Sequence, residues 1–362
     1  MISPQRHRIA AALLAAATVP ALLAAAAPQP ERAPNGVVHQ VRPGESVQAA
    51  VDAARPGDVI ELAAGTYPGG VTISTDRLTL RGQGDATVFD AAATPAGGTP
   101  SACTRAGHGL CVTGLPGAPV TGVTVESLAV TGFTKNGLNA SRTDGLVVRD
   151  VLAHHNLQQG ISEEMSVRSR LIGNEARNNG QAGIFIANSV EHEGGALDTR
   201  GTAVEANLLS GNRIGVVLRR TRALTVEDNL VTGNCGGVFV VGDEGVPRAG
   251  ALTVRRNVVA SNNSYCPPNP RLDFIQGTGI LLTGTEDVTV ADNQVVGNTG
   301  TSPMSGGIVI YKSVVGMPNA RATVTGNQLS ANGPADLADR DTGTGHVLAG
   351  NVCQVSEPAG RC

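Results

Sequence analysis

The chain has 362 residues, a formal net charge of -3, an aromatic content of 2% and no tryptophan. The few basic pairs are isolated, so the sequence has no electrostatic footprint for nucleic acid. The chain also has few of the flat aromatic side chains that many carbohydrate-binding sites place against sugar rings.

The first 27 residues predict a secretory signal peptide. A basic start at Arg6 and Arg8 is followed by an Ala- and Leu-rich apolar run. An uncleaved membrane anchor is the alternative, but alanine dominates the run and Pro28 and Pro30 follow it. We interpret residues 28–40 as a linker. No later apolar run is long enough to cross a bilayer, so we expect a secreted, extracellular protein without a membrane span after cleavage.

Residues 41–58 predict an N-terminal cap. Ser46 suits a helix N-cap, Val47 and Val51 fall on one helical face, and Pro56 lies at the end of the run. A helix here covers the first coil of whatever follows, since the open end of a stack of strands exposes unpaired backbone and apolar core.

A short motif then returns along most of the chain. It contains two asparagines five residues apart, followed by a glycine and an apolar residue, and two such glycines, Gly215 and Gly237, are 22 residues apart. A unit this short has room for two or three strands and no helix, so it buries its apolar face only by stacking on its neighbour. We predict one all-β parallel solenoid over residues 41–362, with residues 335–362 as a C-terminal cap. The second asparagines are expected to form a hydrogen-bonded ladder at a turn: Asn179, Asn212, Asn234, Asn262, Asn298 and Asn332.

Six cysteines in an exported chain indicate disulfides. Cys235 and Cys266 follow equivalent asparagines of successive units, and the remaining cysteines form two close sequence pairs. We therefore favour Cys103 with Cys111, Cys235 with Cys266, and Cys353 with Cys362, although the sequence allows other pairings.

The segment VRPGESVQAAVDAARPGDVIELAAGTYPGG, the following LTLRGQG and the paired asparagines together resemble the right-handed parallel β-helix proteins of the pectate-lyase-like superfamily, including its NosD-like group. The resemblance covers nearly the whole mature chain. It implies a right-handed parallel β-helix with an N-terminal capping helix. It implies less about activity, because lyases, hydrolases, epimerases, tailspikes and non-catalytic surface proteins share this architecture.

Strand alternation predicts which side chains leave the core. One outward row contains Glu164, Ala187 and Arg219, with Arg220 and Lys312 one residue further along their own coils. Two insertions leave from the same edge. The first, residues 190–201, carries Glu191, His192, Glu193, Asp198 and Arg200, and the second, residues 244–250, adds Glu244 and Arg248.

These charges suggest a site for an acidic polysaccharide, in a lyase-like or epimerase-like protein. A cation would bind the uronate carboxylate, a basic group would remove the C5 proton, and Ca²⁺ would neutralise the developing enolate. The candidate catalytic residues are Glu164, His192, Arg219, Arg220 and Lys312, and the candidate metal ligands are Glu193, Asp243 and Glu244. A solvated charged surface explains the same residues, and the closely spaced aspartates of a polygalacturonase-like hydrolase are missing.

Other functions remain open at this stage. A non-catalytic extracellular binding or structural protein is one, and a NosD-like accessory protein for a copper enzyme is another, although oxidised cysteines and four methionines supply few soft ligands. A second outward row is apolar and predicts either a covering loop or a protein contact: Phe185, Val217, Phe239, Leu281 and Val309. Glu163 falls on an inward position, for which we favour a local register shift over a buried carboxylate.

Overall fold

The computed structural model describes residues 36–93, 100–189, 194–270 and 272–362. These residues lie within one compact unit, Asn35–Cys362. The predicted signal peptide, most of the predicted linker, His192 and Glu193 lie outside the described residues. The first strand begins at Val38, inside the segment that we interpret as a linker.

Two short helices accompany the strands. Helix α1, Val47–Ala53, is the predicted cap helix: the Ser46 side chain accepts a hydrogen bond from the Ala49 N–H at 3.2 Å, and Val47 and Val51 are buried. Helix α2, Ala102–Ala106, ends at Gly107 in the left-handed conformation that favours glycine. In the described part of the chain, neither helix has the length and apolar character of a membrane-spanning segment.

The strands form a parallel β-helix with three faces. Face 1 is an 11-stranded parallel sheet. Its strands are β4 Val71–Ile73, β7 Leu110–Thr113, β10 Leu138–Ser141, β13 Ile161–Glu164, β16 Ala182–Ala187, β19 Ile214–Arg219, β22 Gly236–Val241, β25 Thr278–Thr283, β28 Gly306–Tyr311, β31 Leu337–Arg340 and β33 Ser356–Glu357. A two-stranded sheet, β8 Val120–Thr121 with β11 Thr143–Asp144, lies at the turns that follow this face.

Faces 2 and 3 belong to one 20-stranded sheet, and in the coils that carry the asparagine pair the first asparagine lies between the two faces. Face 2 contains β1 Val38–Val41, β2 Val59–Leu62, β5 Thr79–Arg81, β14 Arg170–Ile172, β17 Leu197–Glu205, β20 Thr221–Glu227, β23 Gly250–Arg255, β26 Glu286–Ala291, β29 Thr323–Thr325 and β32 Val347–Ala349. Face 3 contains β3 Gly65–Pro68, β6 Thr87–Asp90, β15 Glu175–Arg177, β18 Leu208–Ser210, β21 Leu230–Thr232, β24 Val258–Ala260, β27 Gln294–Val296 and β30 Gln328–Ser330. The long strands β9 Thr124–Thr131 and β12 Val147–His154 run across both faces.

The stacked asparagines form two continuous ladders at the ends of face 3. In the predicted ladder, each side-chain N–H up to Asn298 donates to the side-chain oxygen of the asparagine in the next coil at 2.8–3.1 Å, as from Asn212 to Asn234. The last member, Asn332, donates to the Asp336 carboxylate at 2.9 Å. A second ladder joins the first asparagines of each coil, as from Asn229 to Asn257 at 2.8 Å. The same side chains also bond backbone carbonyls, so polar groups at these buried corners have partners. The ladder prediction is therefore confirmed.

The three favoured disulfides are present: Cys103–Cys111, Cys235–Cys266 and Cys353–Cys362. Residues 335–362, which we predicted as a C-terminal cap, contain strands of both large sheets.

Candidate functional site

The outer surface of face 1 contains the predicted charged row. Strand pairing aligns Glu164 with Ala187 and Ala187 with Arg219, and the row continues through Val241 towards Tyr311. Ala187 is buried, so only a small side chain separates Glu164 from Arg219, which lie roughly 9.6 Å apart at about 4.8 Å per strand. The row therefore places a carboxylate and a guanidinium group on the same surface.

Arg220 is held in an ion pair at the edge of face 1. Its Nε donates to the Asp243 carboxylate, and the two side chains are only 7% and 14% exposed. The other Asp243 oxygen accepts from the Gly245 N–H at 2.9 Å. This pair fixes the start of the second insertion. Each side chain is engaged by the other, so a catalytic role for Arg220 or a metal-binding role for Asp243 would require this ion pair to break.

Of the described candidates, Arg219 and Glu244 are the sequence neighbours of this pair, and Lys312 lies apart from it. Lys312 is exposed and follows Tyr311, which lies three strand pairings from Arg219 along face 1, roughly 14 Å by the spacing of parallel strands. Glu244 is exposed in its loop. Among the described residues, no group of three His, Cys, Asp or Glu side chains is placed to hold a metal ion. The described side chains therefore do not form a donor set that fits Ca²⁺.

The apolar outward row is covered by the chain itself. Phe239, Leu281 and Val309 pack against Ile275 and are at most 2% exposed. The covering segment is tied to face 1 by the Cys235–Cys266 disulfide. The covering-loop alternative is therefore correct for these residues. The alternative of a protein contact is therefore excluded at Phe239, Leu281 and Val309, and it stays a prediction at Phe185 and Val217, which pack with Ala182 and Ala187 of face 1.

The first half of face 1 differs, because its outer surface is polar. Asn139 pairs with Ser162 in one row, and Ser141 pairs with Glu164 in the other. The row that contains Asn139 and Ser162 is preceded by the disulfide-bonded Cys111 and becomes apolar at Phe185. Face 1 is thus divided into a polar half over β10 and β13 and a covered apolar half from β22 onwards.

A polar cluster that sequence reasoning missed borders this polar half. His108 accepts a hydrogen bond at Nδ1 from the Asn136 N–H at 3.2 Å, and the Asn136 side chain donates to Asn139 at 2.8 Å. Burial, together with the charge of Lys135, lowers the pKa of His108 to about 4, so the ring is neutral at physiological pH. One signal was available: the residue before each Gly-apolar step is polar in the early coils, at His108, Asn136 and Gln159.

Glu163 is a buried carboxylate and not the product of a register shift. It pairs in unbroken register with Ala140 and Ile186, faces the core and is 0% exposed. Within the described residues, neither carboxylate oxygen has a partner in good hydrogen-bond geometry, and the Ser169 hydroxyl also lacks one, although it lies close enough to act on the pKa of Glu163. Burial raises the pKa of Glu163 to about 7, with a smaller opposing effect from Ser169. The expected register shift is wrong.

The stacked coils and ladders define the class of the molecule, a parallel β-helix, and comparison with known proteins identifies the family. Residues 106–259 and 196–329 match the right handed beta helix region family, so the chain belongs to this family. The search among curated proteins finds no match.

Several solved structures share the fold. The A-module of an Azotobacter vinelandii mannuronan C-5 epimerase is similar with a TM-score of 0.54 and 18% identity, over 85% of this chain and 92% of that one. DFA-IIIase from Arthrobacter chlorophenolicus A6, in complex with GF2, gives a TM-score of 0.58 at 15% identity, over 84% and 80%. A periplasmic alginate epimerase gives 0.55 at 14%, over 82% and 69%. At these identities the likeness establishes the fold alone.

Proposed function

We propose that this protein is an extracellular β-helix that binds an acidic polysaccharide along the polar half of face 1. The observation that carries the proposal is the division of that face. Over β10 and β13 its outward side chains are Asn139, Ser141, Ser162 and Glu164, whereas the later half is covered by the chain's own loop. Asn139, Ser141 and Glu164 are half-buried and Ser162 is buried, so the amide, hydroxyl and carboxylate of the first three are the groups that suit the hydroxyl groups of a sugar chain.

Cations on both borders of the polar half favour an acidic chain over a neutral one. Arg219 lies in the charged row two strands beyond β13, and Lys135 lies on the opposite side beside His108. Arginine binds carboxylates through two parallel hydrogen bonds, while lysine acts as a compact charge. The epimerases and lyases of the same fold support the class of ligand, because their names specify mannuronan, alginate and pectate.

The geometry favours binding over proton removal. Arg220 is enclosed in its pair with Asp243, and an arginine guanidinium does not deprotonate in proteins. His108 is neutral, but a base with a pKa of about 4 is weak for abstraction of the C5 proton. Lyase or epimerase chemistry is therefore the second candidate, and it requires groups beyond the described cluster.

The disulfides support the proposed extracellular location. Disulfides form and persist in oxidising compartments, and all six cysteines are paired. We propose cleavage of a signal peptide over residues 1–27 and export of the β-helix. Paired cysteines also leave few soft ligands for copper, which disfavours the accessory role.

Affinity electrophoresis through gels that contain alginate, pectate or neutral dextran tests the proposal. We expect the purified protein to be retarded by the acidic polymers alone, and Arg219→Gln and Lys135→Gln to reduce the retardation. Arg42→Gln, an exposed change away from face 1, is the matched control. Equal retardation by dextran, or none by any acidic polymer, would refute acidic-polysaccharide binding. Appearance of unsaturated product in the ultraviolet, or a changed epimer ratio by NMR, would establish catalysis instead.

A further inference from the structure

A cavity of about 300 Å³ opens at the turns that follow face 1, beside the polar half. Its apolar wall contains Leu115, Pro116, Pro119 and Met165. Two arginines, Arg142 and Arg200, also line it, and they come from coils that are far apart in the sequence. None of these residues belongs to the charged row or to the His108 cluster.

A tight turn holds one wall of the cavity in a fixed conformation. Leu115 and Ala118 exchange backbone hydrogen bonds at 2.9 and 3.0 Å across a tight turn. Pro116 and Gly117, the latter with a φ of 74°, occupy its centre, which is the arrangement that a type II turn prefers. A rigid turn of this kind loses little conformational entropy when a ligand binds.

Backbone irregularities place both arginines. Arg142 follows the end of β10 with a φ of 53°, a left-handed conformation that turns the chain away from face 1. Arg200 lies in β17 where the register with β20 shifts between Asp198 and Thr202. A bulge of this type re-aims a side chain, and bulges are common beside functional sites.

The cavity carries an excess of positive charge. Asp144 also lines it, but its carboxylate is paired with Arg168. In the part of the chain that the structure describes, no carboxylate forms an ion pair with Arg142 or Arg200; Arg142 donates only to the Ser141 hydroxyl at 3.3 Å. Two guanidinium groups without carboxylate partners beside an apolar wall suit a ligand with a carboxylate and an apolar ring face.

We propose that this cavity is a binding site for one carboxylated sugar unit, a uronate, held by Arg142 and Arg200. The apolar face of the sugar ring packs on Leu115, Pro116 and Met165. The choice of a sugar as the anion rests on the proposed function, because Arg142 directly follows Ser141 of the polar half. Arg142 and Arg200 are different from Arg219, the arginine that we propose to act with the polar half, so the two sites can be tested separately.

Isothermal titration of the full protein with trigalacturonate tests the site, with maltotriose as the neutral probe and inorganic sulfate as the simple anion. We expect Arg142→Gln and Arg200→Gln each to weaken trigalacturonate binding about tenfold, the loss of one charge-assisted contact. Arg42→Gln is the matched control, and unchanged melting temperatures show that each variant folds.

The outcomes separate the cavity from the polar half. If Arg219→Gln weakens binding and neither cavity variant does, the cavity proposal is wrong and the polar half stands. If the cavity variants weaken binding and Arg219→Gln does not, the cavity stands alone. Failure of the wild type to bind trigalacturonate at millimolar concentration overturns both, and equally tight sulfate or maltotriose overturns the assignment to a uronate.

Discussion

Ionisation of Glu163 should make the stability of this β-helix depend on pH. The side chain is 0% exposed, and among the described residues neither of its oxygens has a partner in good hydrogen-bond geometry. Burial raises its pKa from 4.5 to about 7 in the folded state. The folded protein therefore retains this proton to a higher pH than the unfolded chain does. The carboxyl group's contribution to stability is complete below pH 4.5 and is lost as the pH rises from 4.5 to about 7.

The size of the effect follows from the shift. One pKa unit corresponds to about 1.4 kcal/mol, so a rise from 4.5 to about 7 corresponds to a loss of about 3 kcal/mol in the free energy of unfolding. Glu163→Gln keeps the shape of the protonated side chain and cannot ionise. We expect it to match the wild type at low pH and to exceed its stability by about 3 kcal/mol above neutrality.

Urea unfolding of the two proteins across this pH range is the assay, because other titrating groups cancel in the difference. Glu163→Leu is a second variant, since Ile186 already occupies the next inward position of the row. An apolar replacement of a buried charge is often neutral or stabilising. If the difference between wild type and Glu163→Gln stays constant with pH, Glu163 does not ionise in a buried site, and the inward placement of its carboxylate is wrong.

Three further predictions concern the scaffold. Asn234→Ala removes three side-chain donor contacts and an acceptor for Asn212, so it should lower the free energy of unfolding by about 3 kcal/mol or more. The control, Gln158→Ala at an exposed position, should change it little. Equal urea midpoints for the two variants would contradict a stabilising role for the ladder. Cys266→Ser removes a disulfide with a sequence separation of 31, so we expect the free energy of unfolding to fall by about 3 kcal/mol and the binding of an apolar dye to increase. An unchanged melting temperature would contradict a stabilising role for this disulfide. Arg220→Ala removes the ion-pair partner of the Asp243 carboxylate and should lower the free energy of unfolding by about 3 kcal/mol. Adding Asp243→Ala should recover much of this loss. Strictly additive losses in a double-mutant cycle would contradict a coupled pair.

The sequence predicted the scaffold well because the repeat is local and periodic. Once Asn212 and Asn234 are recognised as equivalent, the register of whole strands follows, and the outward row from Glu164 to Arg219 is aligned as expected. The disulfide between Cys235 and Cys266 follows from the same equivalence. Periodicity also explains the error at Glu163: an inward carboxylate conflicts with the cost of burying a charge, and the regular stack tolerates that cost in a single coil.

The candidate site was less predictable, because it depends on contacts between segments that the repeat does not relate. Nothing in the local pattern indicates that Arg220 pairs with Asp243, or that Ile275 covers Phe239. The grouping of His108 with Asn136 likewise depends on side-chain placement at the turn and not on strand register.

The sequence by itself determined the coil length, the asparagine ladders, the inward or outward direction of most strand residues and hence a parallel β-helix. Stacking identical units satisfies the backbone and buries the apolar face in only one register, so local information is sufficient for these features. The tertiary structure alone decided which part of face 1 is open and which charges are engaged. Those outcomes depend on where the inserted loops fold back, and a loop's position is set by contacts with distant residues that periodicity does not specify.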